Sequence, residues 1–150
     1  MELKDEILIP APRESVFAAL NDTDVLRQCI PGCEELTRVS EDELKAKVVL
    51  KVGPVKARFA GTVTLDRSGG PELLSLSGEG SGGAAGFARG GADVTLEDRG
   101  DETLLSYDAR AEIGGKIAQL GSRLIQGTAH KLAGKFFSNF AKVMTSDETV

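Results

Sequence analysis

The chain has 150 residues, 41% of them hydrophobic and 27% charged, with a formal net charge of −5, so a single globular domain is expected. One histidine and two cysteines are too few for a classical zinc or iron–sulfur ligand set, and the acidic, aromatic-poor composition disfavours a nucleic-acid surface. The composition therefore predicts a binding domain with no resident metal or cofactor.

The start of the chain predicts a cytoplasmic location. Residues 1–6 lack the basic and apolar regions of a signal peptide, and the apolar runs elsewhere are only a few residues long. In that setting Cys29 and Cys33 are expected to be reduced, half-buried thiols rather than a disulfide or a redox pair.

The first 32 residues predict one strand and two short helices. Alternating apolar residues indicate a strand over residues 2–9, which two prolines end. Residues 12–20 carry their apolar side chains at helical spacing. The polar segment 21–24 can cap a second helix over residues 24–29, which Pro31 and the following glycine stop.

Between residues 33 and 113 the apolar residues alternate with polar ones. The clearest runs are residues 44–52, 55–65, 92–96 and 105–113, and turn signals rich in Gly, Ser and Asp separate them. The alternation predicts about six more antiparallel strands in one sheet, with an apolar inner face and a wet outer face.

Helical spacing returns over residues 114–145, which are predicted to form one amphipathic helix. About 30 residues give a length of roughly 45 Å, enough to cross a small sheet. We expect residues 1–144 to form one ligand-binding domain and residues 145–150 to form a polar tail.

Small residues dominate the surfaces that this order would enclose. Alanines and glycines recur on the inner strand faces, and five glycines fall in the segment predicted as the long helix. A helical glycine costs up to about 1 kcal/mol relative to alanine. Two explanations stay open: the glycines allow the helix to pack closely on the sheet, or they enlarge a pocket.

Four segments resemble a known family of the START/Bet v 1-like (SRPBCC) superfamily, the CoxG family, which takes its name from the CoxG component of carbon monoxide dehydrogenase. The resemblance covers residues 1–144 and rests on Cys29-Ile-Pro-Gly-Cys33, Val52-Gly-Pro-Val with the residues to Val63, the glycine-rich segment 78–90, and Gly114-Gly-Lys-Ile with the residues to Leu124. It implies a helix-grip α+β fold, a seven-stranded antiparallel sheet wrapped around a long C-terminal helix.

The same resemblance implies a non-enzymatic accessory protein. Members accompany molybdenum hydroxylases of the CO dehydrogenase type, and the family is associated with recruiting that enzyme to the inner face of the cytoplasmic membrane and with carrying quinone. The implied partners are an apolar, lipid-like molecule such as a quinone, the hydroxylase and a peripheral membrane contact. Many members also have a C-terminal extension that reaches the membrane.

A pocket between sheet and helix would take its ligand contacts from inward-facing apolar residues. The predicted ligand-binding residues are Leu26, Ile30, Val48, Leu50, Phe59, Val63, Leu76, Phe87, Val94, Leu105, Tyr107, Leu120 and Leu124. No catalytic residue is predicted, because these faces lack the convergent acid and base that a small enzyme on this fold would need. An assembly factor that stores no ligand is the alternative.

Three further features have competing interpretations. Residues 78–83 match G-x-G-x-x-G, but a strand pattern follows where a nucleotide site needs a helix. We instead predict a mobile loop over residues 80–90, with Phe87 as a lid or membrane-touching finger, or a hairpin connection whose ring enters the core. His130 is expected to be solvated. The basic residues of the long helix form a solvated face or meet lipid phosphates or an acidic partner.

Overall fold

The computed structural model describes residues 1–148, with side chains through residue 145. The elements are β1 (Glu2–Ile9), α1 (Arg13–Leu20), α2 (Thr23–Cys29), β2 (Cys33–Ser40), β3 (Glu43–Val52), β4 (Val55–Asp66), β5 (Leu73–Ser81), β6 (Phe87–Arg99), β7 (Glu102–Gly114) and α3 (Ser122–Glu148). Single 3₁₀ segments occupy Gly83–Ala85 and Lys116–Leu120.

The strands form one antiparallel sheet in the order β1-β7-β6-β5-β4-β3-β2. Each strand from β2 to β7 pairs with its sequence neighbour, and β1 closes the other edge against β7. The predicted α+β architecture is therefore confirmed: seven antiparallel strands, two short helices after the first strand, and a long C-terminal helix.

The two short helices begin close to where the sequence places them. The Asp22 carboxylate caps α2 by accepting hydrogen bonds from the backbone N–H groups of Asp24 and Val25. Because this cap precedes the predicted start, α2 begins one residue earlier than expected. Pro12 directly precedes α1, since its fixed φ suits a helix entry.

The prediction of one helix over residues 114–145 is wrong at its start. Ile113 and Gly114 still pair with Ala88 and Phe87 of β6, so β7 extends to residue 114. A 3₁₀ turn follows, and Gly121, with φ of +98°, separates it from α3. Strand pairing and a left-handed glycine thus override a helical pattern that the apolar spacing alone could not limit.

The predicted mobile loop over residues 80–90 is replaced by a short connection. β5 continues to Ser81 and β6 begins at Phe87, leaving residues 82–86 between them. Ser81 and Phe87 are paired across the hairpin. The hairpin alternative was the better one, although the Phe87 ring is 40% exposed and does not enter the core.

At the other end of the chain, α3 runs past the predicted helix end to Glu148. The final two residues of the predicted tail, 149–150, lie outside the described residues.

A single buried cluster joins α1, α2, the sheet and the C-terminal half of α3. Its fully buried members include Ile9, Val16, Leu96, Leu105 and Phe140. The predicted packing of the late α3 phenylalanines against α1 is realised here. Cys29 belongs to the same cluster and Cys33 is partly exposed, and both are free thiols. Burial raises the pKa of the Cys29 thiol, which keeps it protonated and unreactive.

Candidate functional site

A cavity of about 550 Å³ lies between the sheet and the N-terminal half of α3. This volume is within the range of roughly 300–1,000 Å³ typical of small-molecule sites. The sheet contributes residues from β3 to β7, and α3 contributes Ile125, Thr128, Ala129 and Leu132. The cavity therefore occupies the position that the sequence order predicts for a pocket.

Small residues on adjacent strands leave this volume unfilled. Across the inner face Gly61 pairs with both Ala46 and Gly80, and Ala92 pairs with Ala109. The glycine at position 61 also allows a close backbone approach, because a Cβ there would collide with the Glu79 carbonyl oxygen. The strands thus bend closely past one another and present almost no side chain to the interior.

The cavity wall is almost entirely apolar. The strand period turns Arg89 and Arg110 to the outer face of the sheet, where they pair with Glu112 at 3.2 Å and Asp93 at 3.7 Å. The Thr128 hydroxyl is the polar group that α3 brings to the wall. Within residues 1–148 no group of three or more His, Cys, Asp or Glu side chains is placed to hold a metal ion.

Six of the thirteen residues predicted to bind ligand line the cavity: Ile30, Val48, Leu50, Phe59, Val63 and Leu76. They come from the α2–β2 connection and from β3, β4 and β5, where the alternation of the strand pattern is regular. The sequence pattern therefore located this side of the wall.

Four of the predicted residues pack in or against the buried cluster rather than the cavity: Leu26, Val94, Leu105 and Tyr107. They point inward as predicted but lie toward the end of the sheet that α1 and α2 cover. Tyr107 stacks on Phe137 with ring centroids 5.1 Å apart. Burial, and to a lesser extent the charge of Asp5, raise the pKa of the Tyr107 hydroxyl.

Leu120 and Leu124 line a neighbouring groove on the outer side of α3 rather than the cavity. Their displacement follows from the late start of the helix. The last predicted residue, Phe87, lies on the outer face of the sheet, where its ring covers Gly114 and the Arg89 guanidinium sits 5.9 Å from the ring centroid. His130 is exposed on α3, as expected.

The residues that sequence reasoning missed come mainly from the second wall. Ile113, Ile117, Ile125, Ala129 and Leu132 line the cavity. Ile113 and Leu132 lay in predicted inward or helical faces and were available as signals. Ile125 and Ala129 could be recognised only with the correct start and rotation of α3.

Two glycines of α3 do not serve close packing. A Cβ added to Gly127 or Gly134 would meet no atom within 4 Å, and both residues are exposed. The close-packing explanation therefore fails for these two positions. Gly127 instead lies beside the groove on the outer side of α3.

Comparison with known proteins identifies the relationship. The family model for CoxG, a component of carbon monoxide dehydrogenase, matches residues 6–145. The chain belongs to the CoxG family. The resemblance inferred from the four sequence segments is thus confirmed. No curated protein matches the chain at a significant level.

Solved structures place this CoxG chain in the START/Bet v 1-like fold. A conserved protein of Geobacillus kaustophilus has 28% identity and a TM-score of 0.91, covering 97% of this chain and 96% of that one. A START superfamily protein of Mycobacterium smegmatis has 11% identity and a TM-score of 0.76, covering 97% of each chain.

Enzymes share this fold as well. The Zhui aromatase/cyclase of Streptomyces sp. R1128 has 9% identity and a TM-score of 0.70, covering 97% of this chain and 93% of that one. At that identity the likeness shows the fold alone. In the CoxG chain, none of the helices within residues 1–148 has both the length and the apolar character that a membrane span requires.

Proposed function

We propose that this CoxG chain is a non-enzymatic accessory protein that binds an apolar, lipid-like molecule in the cavity, with a quinone as the favoured ligand. The observation that carries the proposal is an apolar cavity of about 550 Å³ in a chain of the CoxG family. Burying apolar surface contributes roughly 25 cal/mol per Å², so such a wall favours a guest with little polar surface.

The cavity wall argues against catalysis. General acid–base chemistry needs groups that converge on a substrate. The Thr128 hydroxyl alone does not supply such a pair, and the charged residues of β6 and β7 form ion pairs on the opposite face of the sheet. These features support a carrier rather than a cyclase or hydrolase.

The family assignment extends the proposal to partners and location. We expect the protein to support a molybdenum hydroxylase of the CO dehydrogenase type and to act in the cytoplasm at the inner face of the cytoplasmic membrane. The carried molecule would then link the enzyme to the membrane pool from which it is drawn.

Native mass spectrometry of protein purified without detergent tests the cavity directly. We expect a bound apolar molecule that survives gentle ionisation, and saturable uptake of a short-chain quinone by protein from which it has been extracted. Absence of both a retained molecule and quinone uptake would contradict the proposal.

The exposed Phe87 ring favours the second candidate function, an assembly factor that stores no ligand. An exposed aromatic ring beside an arginine is the kind of residue that protein partners recognise. Phe87→Ser should weaken capture of the dehydrogenase and leave guest uptake unchanged. Leu8→Ser, at an exposed residue of β1, is the matched control and should change neither measurement.

A further inference from the structure

A groove of about 1030 Å³ runs along the outer side of α3, between its N-terminal half and the strand β3 with the Pro31–Gly32 segment. Its apolar floor includes Leu50, Leu120 and Leu124, and Leu124 is 38% exposed. The groove is therefore an accessible apolar surface that the packing of the domain leaves uncovered.

Only a thin wall separates this groove from the cavity. Pro31, Leu50, Thr128 and Leu132 line both spaces. Movement of these side chains, or a small displacement of α3 from β3, would join the cavity to the groove. The groove is thus positioned as the mouth of the cavity.

The rim of the groove is basic. Lys51, Arg123, Lys131 and Lys135 line it, and no acidic residue does. Among the described residues none of these four forms an ion pair. By contrast, the arginines on the outer face of the sheet are paired with carboxylates, as Arg58 is with Glu34.

The sequence accounts for this concentration of charge. Residues 113–146 contain five Lys and Arg residues but no Asp or Glu, although the whole chain has 23 acidic residues and a net charge of −5. An acidic protein that attracts anions at one face must do so through a local patch, because its overall field repels them.

We propose that this groove docks on an anionic phospholipid bilayer and opens the cavity toward the lipid. The inference rests on the proposed function, because an apolar guest must be exchanged with an apolar phase. Basic residues suit the lipid phosphates, and exposed leucines between them suit the acyl boundary. This combination fits a bilayer better than an acidic protein surface, which would not require the leucine floor.

Vesicle co-sedimentation tests the proposal, with phosphatidylcholine vesicles compared with equimolar phosphatidylcholine–phosphatidylglycerol vesicles. We expect binding to the anionic vesicles only, weakening as ionic strength rises. The double variant Arg123→Gln/Lys131→Gln should lose roughly 20- to 30-fold in partitioning, since each basic residue near an anionic surface contributes about fivefold.

Lys45→Gln/Lys47→Gln is the matched control, because it makes the same charge change on the outer face of β3. It should change partitioning less than about twofold, since exposed charges far from the contact are screened. Melting curves of both double variants check that they remain folded.

The outcomes separate this inference from the proposed function. Uptake of a short-chain quinone without anionic vesicle binding, or equal losses in the two double variants, would overturn the docking proposal and leave the carrier proposal intact. Failure to take up quinone at all would instead contradict the carrier proposal. Vesicle binding that Leu124→Ser also weakens, with solution uptake retained, would support the docking proposal.

Discussion

The two ends of the sheet are covered by the same helix but are filled differently. Toward its C-terminus α3 brings Phe136, Phe137 and Phe140 against α1 and the sheet, and Phe140 has no exposed surface. Toward its N-terminus α3 brings Ala129 and Thr128 against strands that carry glycine and alanine. One end is a packed core and the other is a cavity.

The difference shows how one fold combines stability with a binding site. The packed end joins four parts of the chain and fixes the position of α3. The hollow end can then lack side chains without collapse, because its walls are held by strand pairing and by the distant core. We expect changes at the packed end to alter stability and changes at the hollow end to alter binding.

Phe140→Ala should have the largest effect on stability. Phe140 is completely buried in the cluster, and removing a buried phenylalanine costs about 3–5 kcal/mol. Urea unfolding measures the loss, and guest uptake by the folded fraction should stay unchanged. A loss below about 1 kcal/mol would show that this end is not the stabilising core.

A pair of Ala→Leu substitutions compares the two ends directly. Ala11 is 3% exposed in the packed cluster, so Ala11→Leu should overpack it and cost about 1–3 kcal/mol. Ala109 lines the cavity, so Ala109→Leu should change stability little and reduce guest uptake. Equal destabilisation by the two substitutions, measured by urea unfolding, would argue that the cavity collapses in solution.

Gly→Ala substitutions in α3 should stabilise the protein slightly. Gly127 and Gly134 have room for a methyl group, so each substitution should gain up to about 1 kcal/mol of helix propensity. Gly134→Ala should leave vesicle binding unchanged and is the control for Gly127→Ala, which narrows the groove. Thermal denaturation checks both, and destabilisation by either would reveal a packing role.

The smallest expected effect is a loss of stability in alkali that depends on Tyr107. Burial raises the pKa of this hydroxyl in the folded protein. Its contribution to stability is therefore complete below the ordinary tyrosine pKa of about 10. It is lost as the pH rises through the higher folded value. Tyr107→Phe should flatten the decline in stability above that pH, as followed by urea midpoints, and an unchanged decline would contradict this assignment.

The sequence predicted most of the fold because local patterns and global packing agree. Alternation in β3 and β4 located one wall of the cavity, including Val48 and Phe59. Turn residues and the Asp22 cap placed the strand and helix boundaries within about one or two residues, which is the usual precision of such boundaries.

The second wall could not be predicted as well, because helical spacing does not mark where a helix begins. The pattern continued through the 3₁₀ turn, and only the positive φ of Gly121 ends it. Leu120 and Leu124 were therefore assigned to the interior, whereas Ile125 and Ala129 occupy it. Phe87 faces outward because the strand register of β6 turns it away from the cavity.

The central claim, that the hollow end accepts an apolar guest, is tested most directly with N-phenyl-1-naphthylamine, whose fluorescence rises in an apolar site. Since the chain has no tryptophan, the signal is free of its emission. We predict saturable uptake of one probe per chain and a loss of at least about tenfold in affinity for Ala109→Leu, because the added side chain occupies the cavity. No saturable uptake, or equal uptake by Ala109→Leu, would contradict the claim.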